Sequence, residues 1–114
     1  MKREIIIYDS HFADFYNQQE DKIKRKIDYS LDLIRNVERV PIKFLKYLEG
    51  TDKLYEIRVT TFIKDIRIMC FFDEDKIIVL LNCFVKKGQK TPRIEIDLGE
   101  KLKSEYFDYK KMRK

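Results

Sequence analysis

The sequence predicts an α+β fold: a small antiparallel sheet with two N-terminal helices packed on one face and a C-terminal helix. Three observations carry that reading. Apolar residues recur at three- and four-residue steps from Phe12 to Ile34, the spacing of one helix face. The period then changes to two across LYEIRVTTF, DIRIMCFF and KIIVLLNCFV, the alternation of strands. After Pro92 a near-helical spacing returns and runs to the end of the chain.

EIIIY, Glu4 to Tyr8, reads as a short first strand. Asp9 and Ser10 suit a helix N-cap, and Phe12, Phe15, Tyr16, Ile23, Ile27, Leu31 and Ile34 form one stripe on a long helix behind it. Lys22, Lys24, Arg25 and Lys26 fall on its solvent side. Pro41 at a helix start and Gly50 at a helix end bracket a second, short helix with Phe44, Leu45 and Leu48 buried. The three strands that follow are joined by short connections around Ile63 to Asp65 and Asp73 to Asp75, which makes them consecutive antiparallel hairpins. The terminal helix carries Ile94, Leu98, Leu102, Tyr106 and Tyr109, and Gly99 within it costs about 1 kcal/mol of helix propensity. No linker or repeat interrupts residues 1–114, and we read them as a single domain.

Pairing Phe72 with Ile77 and Thr61 with Ile66 sorts the strands into two faces. One carries Tyr55, Ile57, Val59, Ile66, Ile68, Cys70, Phe72, Ile77, Val79, Leu81 and Cys83, almost purely apolar, to be covered by the N-terminal helices. The other is mixed. It carries Met69, Phe71, Ile78, Leu80 and Phe84 for the terminal helix, and a polar half with Glu56, Arg58, Arg67 and Lys86. In this register Arg67 faces Asn82, Cys70 faces Val79 and Cys83 faces Ile66, so the two cysteines are core residues and not a disulfide pair.

Charge is distributed unevenly. The formal net charge is +5, yet Met1 to Cys83 holds 15 Lys+Arg against 15 Asp+Glu, so Phe84 to Lys114 supplies the whole excess with 10 against 5. A neutral body with a basic C-terminal quarter fits a polyanion on one face, nucleic acid above all; a solvated lysine-rich surface is the plainer alternative. No apolar run approaches the ~20 residues of a transmembrane helix, and MKREIIIYDS lacks a signal peptide's apolar region, so the expected location is the cytoplasm. Two cysteines fit a reducing compartment. CxxC, HExxH, a His/Cys zinc set and a Gly-rich phosphate loop are all missing, and the expectation is no cofactor and no metal.

The strand IIVLLNCF runs directly into FVKKGQKTPR, which brings Lys86, Lys87, Lys90 and Arg93 together with no acid to balance them. Arginines make planar bidentate contacts to phosphate and lysines add mobile charge, so Arg58 and Arg67 on the sheet with this loop suit a phosphodiester. Metal-free RNA cleavage needs a 2′-hydroxyl aligned on its phosphate and cations to hold the charge of the transition state. The proton donor and acceptor are less obvious. Tyr106 can bring a phenol to the cleft or belong to the core stripe of its helix. Glu56 can be a base or an arginine's ion-pair partner. His11, the one histidine, is remote in sequence from the basic face.

These residues also resemble a known family. LYEIRVTTFIKDIRIMCFFDEDKIIVLLNCFVKKGQKTPRIEID, followed by SEYF, is similar to the RelE/HigB-like toxins, in particular their phage-derived branch. The matching elements are Leu54 to Arg58, Arg67 to Phe72, Phe84 to Lys87, and Thr91-Pro92 before the last helix. The resemblance implies a compact toxin with helices on one side of a small antiparallel sheet. It implies cleavage of mRNA on the ribosome by 2′-hydroxyl attack without metal, and a helix-turn-helix antitoxin as partner. By position, Arg67 resembles the family's phosphate-binding arginine, Arg58 its preceding strand arginine, and Lys86, Lys87 and Lys90 its basic loop. The catalytic set expected is then Arg67, Arg58, Lys87, Lys90 and Tyr106, with Lys86, Arg93 and Lys64 binding RNA. Where RelE-type toxins have a tyrosine after the basic loop, this chain has Arg93 and Ile94. Two other readings stay open: a toxin of the same fold that inhibits DNA gyrase without cutting RNA, and a non-catalytic RNA-binding protein of phage origin.

Overall fold

The computed structural model describes residues 2–113. Its elements are β1 (Glu4–Ile7), α1 (His11–Asn17), α2 (Asp21–Asn36), β2 (Leu45–Tyr47), β3 (Tyr55–Thr60), β4 (Asp65–Phe72), β5 (Ile77–Val85) and α3 (Arg93–Met112). One five-stranded sheet has the order β1-β5-β4-β3-β2. All neighbours are antiparallel except β1 and β5, which run parallel. The α+β class, a pair of N-terminal helices and the C-terminal helix are as expected, though the pair falls at different positions. Among the described residues no helix is long and apolar enough to cross a membrane.

The long N-terminal stripe is real but sits on two helices. Glu20, with extended backbone, starts α2 afresh after α1 ends at Gln18, and Gln19 Nε2 donates to the Phe15 carbonyl at the break. Phe12, Ile23, Ile27 and Ile34 are buried against Ile57, Val59, Ile66, Ile68, Cys70, Ile78 and Leu80, with Phe15, Tyr16 and Leu31 at the margin. The second helix expected over Pro41 to Gly50 is not there. Pro41 opens a tight turn, in which the Phe44 and Leu45 amides donate to its carbonyl, and the chain then pairs as β2 along the open edge of β3. Gly50, at φ +80°, makes the turn back into β3. Phe44, Leu45 and Leu48 satisfy either period; the free edge of β3 decides for a strand, since its backbone groups need partners.

The helices cover both faces of the sheet, as the sorting of the strands into two faces leads one to expect. Leu102 and Tyr106 of α3 pack with Met69, Phe71, Val79, Leu81 and Phe84 on the face opposite α1 and α2. Gly99 permits this approach: a Cβ there would stand 3.3 Å from Asn82 Oδ1 and 3.4 Å from Leu54 Cδ1. Ile94 and Tyr109, expected on the buried stripe of α3, are exposed.

The β4–β5 register differs from the simple alternation. Arg67 faces Phe84 and Ile68 faces Cys83, but Cys70 faces Leu80 and Phe72 faces Ile78. Met69 therefore opposes both Leu81 and Asn82, a β-bulge that switches which residues of β5 face each layer. Ile78 and Leu80 join the α1/α2 core while Ile77, Val79 and Leu81 join the α3 core, the reverse of the expected assignment. Both cysteines are free, and burial pushes both thiols up.

The far end of α3 is pinned to the β4–β5 hairpin. The Tyr106 hydroxyl donates to Asp73 Oδ2 at 2.7 Å, and Lys110 Nζ donates to the same oxygen at 2.6 Å. Burial alone would raise the Asp73 carboxyl, but the hydrogen bonds from Lys110 and Tyr106 and the Lys110 charge outweigh it and hold it below its usual value of 3.8. A depressed carboxyl stabilises the fold above its unfolded-state pKa and loses that contribution as pH falls through the folded-state value. Asp73→Asn is expected to cost about 1–3 kcal/mol at neutral pH. Urea denaturation at a series of pH values should show the wild-type and variant stabilities converging in acid; a gap constant down to about pH 2 contradicts this account.

Candidate phosphodiester-binding cleft

Arg58 and Arg67 are direct partners across β3 and β4. Like charges placed opposite each other destabilise a sheet unless something neutralises them. Glu56 does so: it is 1% exposed, and its Oε1 lies 3.2 Å from Arg58 Nε and 3.7 Å from Arg67 Nε. Its other oxygen accepts from the Thr91 hydroxyl at 2.8 Å, which ties the end of the lysine loop to the sheet. The carboxylate thus organises both arginines and the loop, and serves as an ion-pair partner.

Arg67 is the buried member, 8% exposed, and donates from a terminal nitrogen to the Ile66 carbonyl at 3.1 Å. Its Nε is buried without a hydrogen-bond partner among the described residues, so donor capacity remains. Burial lowers its pKa, Glu56 acts against that, and Arg58 adds to it; a guanidinium stays charged throughout. Lys86 follows β5 onto the same ground, its amide donating to the Asp65 carbonyl at 2.7 Å. Its pKa is lowered, first by burial and then by the charges of Arg67, Arg58 and Lys46, with Glu56 opposing.

Beside them is an open cleft of about 250 Å³ lined by Lys46, Glu49, Glu56, Arg58, Lys86 and Lys90 among others, with Ile96 of α3 also at its wall; Arg67 reaches it through Glu56 and is not part of its lining. Asn82 holds that end of α3, its Nδ2 donating to the Glu95 carbonyl at 3.1 Å and Glu95 Oε1 at 2.9 Å. Of the residues singled out from the sequence, Arg58, Arg67, Lys86 and Lys90 come together, and Lys87 is exposed beside them on the loop. Three do not join. Lys64 donates to Gln19 at the α1–α2 break, at 2.7 Å. Arg93 is exposed and paired with Asp97 at 3.1 Å. Tyr106 is buried on Asp73, just past the end of β4, whereas Arg67 is near its start, about 20 Å away at strand rise. Its phenol is held protonated by burial and by Asp73. Lys46, Glu49 and Thr91 are cleft residues that sequence reasoning missed; the alternation Leu45-Lys46-Tyr47 was the available signal for Lys46, which pairs with Glu56. Among the described residues no cluster of His, Cys, Asp and Glu could hold a metal ion.

This layout defines a RelE-like fold. The E. coli toxin RelE, in a mutant form in the free state, superimposes with a TM-score of 0.54 at 12% identity, over 73% of this chain and 82% of that one. A chain of the archaeal RelE–RelB complex from Pyrococcus horikoshii OT3 also gives 0.54, at 22% identity, over 78% of this chain and 100% of that one. At those identities the likeness is one of fold. No curated protein matches significantly by sequence. The chain belongs to the family described as phage derived protein Gp49-like (DUF891), which matches residues 14–104.

Removing the Glu56 charge leaves two guanidinium groups opposed. Glu56→Gln is expected to lower stability by about 3 kcal/mol or more, part of it recovered at high salt. Denaturation at low and high ionic strength checks this; a loss under about 1 kcal/mol means that the arginines do not depend on Glu56.

Proposed function

We propose that this chain is the toxin of a type II toxin–antitoxin pair, an endoribonuclease that cuts mRNA on the ribosome without a metal ion. The observation that carries the reading is the convergence of Arg58 and Lys86 on one cleft around a buried Glu56, with Arg67 against the same carboxylate, in a chain with the RelE-like fold. In this mechanism the 2′-hydroxyl gives its proton to solvent water as its oxygen attacks the adjacent phosphorus, the bond to the 5′-oxygen breaks, and the products are a 2′,3′-cyclic phosphate and a 5′-hydroxyl. Arg67 and Arg58 hold the non-bridging oxygens as negative charge builds on them. Lys86, with its lowered pKa, is the proton donor to the leaving 5′-oxygen, because an ammonium with depressed pKa gives up its proton more readily. Lys87 and Lys90 attract the backbone. The partners are the ribosome with its message and an antitoxin of helix-turn-helix type; one of the fold relatives is itself a RelE–RelB complex.

Primer extension on an mRNA translated by reconstituted ribosomes tests the reading. Wild type is expected to give codon-phased cuts, and Arg67→Ala to reduce them by about 10²-fold or more. Uncut message with folded protein removes the nuclease and directs attention to gyrase supercoiling.

Lys86→Arg separates charge from proton donation. It is expected to retain ribosome association but cut about 10²-fold more slowly, since an arginine does not release its proton in this pH range. Cutting at the wild-type rate would reduce Lys86 to an electrostatic role.

A further inference from the structure

A second cleft lies beside the first, about 320 Å³, between α2 and the β2–β3 edge. Its lining includes Lys26, Tyr29, Lys43, Phe44, Arg58 and Thr60, and no carboxylate among the described residues. Arg58 lines both clefts and so joins them.

The side chains here are not explained by packing. Tyr29 is 56% exposed, although its neighbours Ile27 and Ser30 are buried. Lys26, Tyr29 and Ser30 stand at helical spacing on one face of α2, and the Ser30 hydroxyl is committed to the Lys26 carbonyl. Lys26 Nζ lies 5.6 Å from the Tyr29 ring centroid, and Lys43 Nζ 5.6 Å from that of Phe44. Single exposed aromatics are ordinary on a protein surface, but here two rings and three cations share one recess. That combination is the chemistry of single-stranded nucleic acid: a ring on which an unpaired base stacks, with cations for the flanking phosphates. The volume is near the lower end of the ~300–1,000 Å³ of small-ligand sites, a fit for one base rather than a peptide or duplex.

We propose that this cleft holds an unpaired nucleotide of the message, next to the one whose phosphate lies on Arg58, with its base against Tyr29 and its phosphate near Lys26 and Lys43. The inference rests on the endoribonuclease reading and extends it to how the substrate is held. An acidic protein segment would meet the same cations, but it would make no use of an exposed ring in the same recess as Arg58.

The test is cleavage by reconstituted ribosomes of a set of messages, each with one abasic nucleotide near the cut, using wild type, Tyr29→Leu, Tyr29→Phe and Arg67→Ala. Thermal melting establishes that each variant is folded. One abasic position is expected to lower the wild-type kcat/KM roughly ten-fold, Tyr29→Leu to lower it about as much on intact message, and the two together to add no further loss. Tyr29→Phe, which keeps the ring, recovers the coupling. If losses multiply at every position while Arg67→Ala still abolishes cutting, the cleft does not hold a message base. It then faces ribosomal RNA or a protein, and the nuclease reading survives alone. If wild type cuts no message, the nuclease reading and this inference fall together.

Discussion

Two guanidinium groups face each other across β3 and β4, and the sheet accommodates them because a carboxylate is buried against both. Glu56 is the constraint on which the basic face depends. An isolated carboxylate at that depth would be protonated or expelled, and two opposed arginines without it would splay the strands. Paired, each side makes the other tolerable. The third contact, from Thr91, extends the arrangement to a segment far away in sequence. The lysine loop is thereby held against the sheet by the same side chain that sets the spacing of the arginines. Lys86 and Lys90 meet Arg58 and Arg67 as a consequence of that one buried charge.

The bulge opposite Met69 solves a second problem. Strand β5 must give apolar side chains to α3 along its first half and deliver Lys86 to the same face at its end. Strict alternation cannot do both, because Ile77, Val79 and Leu81 are odd-numbered positions while Asn82, Phe84 and Lys86 are even. One extra residue at Leu81–Asn82 changes the parity between them. Without it, either the α3 core loses its β5 contribution or Lys86 turns toward α1 and α2. Bulges occur preferentially where a strand must re-aim a side chain next to a site, and this one does so.

The same features explain what could be read from the sequence. Helix positions from Phe12 to Ile34 followed their period because one face is apolar and the other is not. Arg58, Arg67 and Lys86 were legible as a group because cations in apolar strands stand out, and their shared face survives a two-residue shift of the β3–β4 register. The bulge was not legible, since IIVLLNCFV is apolar at both parities and alternation gives no signal there. Nor was β2: Phe44, Leu45 and Leu48 fit a helix as well as a strand, and only the tertiary need to pair the edge of β3 distinguishes them. Lys46, Lys43 and the whole second cleft went unseen with it. The sequence leaves Glu56 open as a base or an arginine's partner, and its reach to Thr91 depends on loop geometry that local sequence does not encode.

Helix α3 links these parts, and its attachments bear on which groups are free to act. It is held near the cleft by Asn82 and Glu95, at the other end by Asp73 with Tyr106 and Lys110, and between them Gly99 lets it approach the sheet closely. Tyr106 is thus committed twice, to the aromatic cluster with Tyr8, Phe71 and Phe107 and to the Asp73 carboxylate. A phenol whose proton is already donated to a buried carboxylate, and whose ionised form is disfavoured there, has none to offer a substrate at the opposite end of β4. Among the groups that line the cleft, Lys86 combines burial with three neighbouring positive charges. Arg67, Arg58 and Lys46, whose charges depress its pKa, also stand around Glu56, so the charge of the cleft and the lowered pKa of Lys86 arise from a single arrangement of side chains.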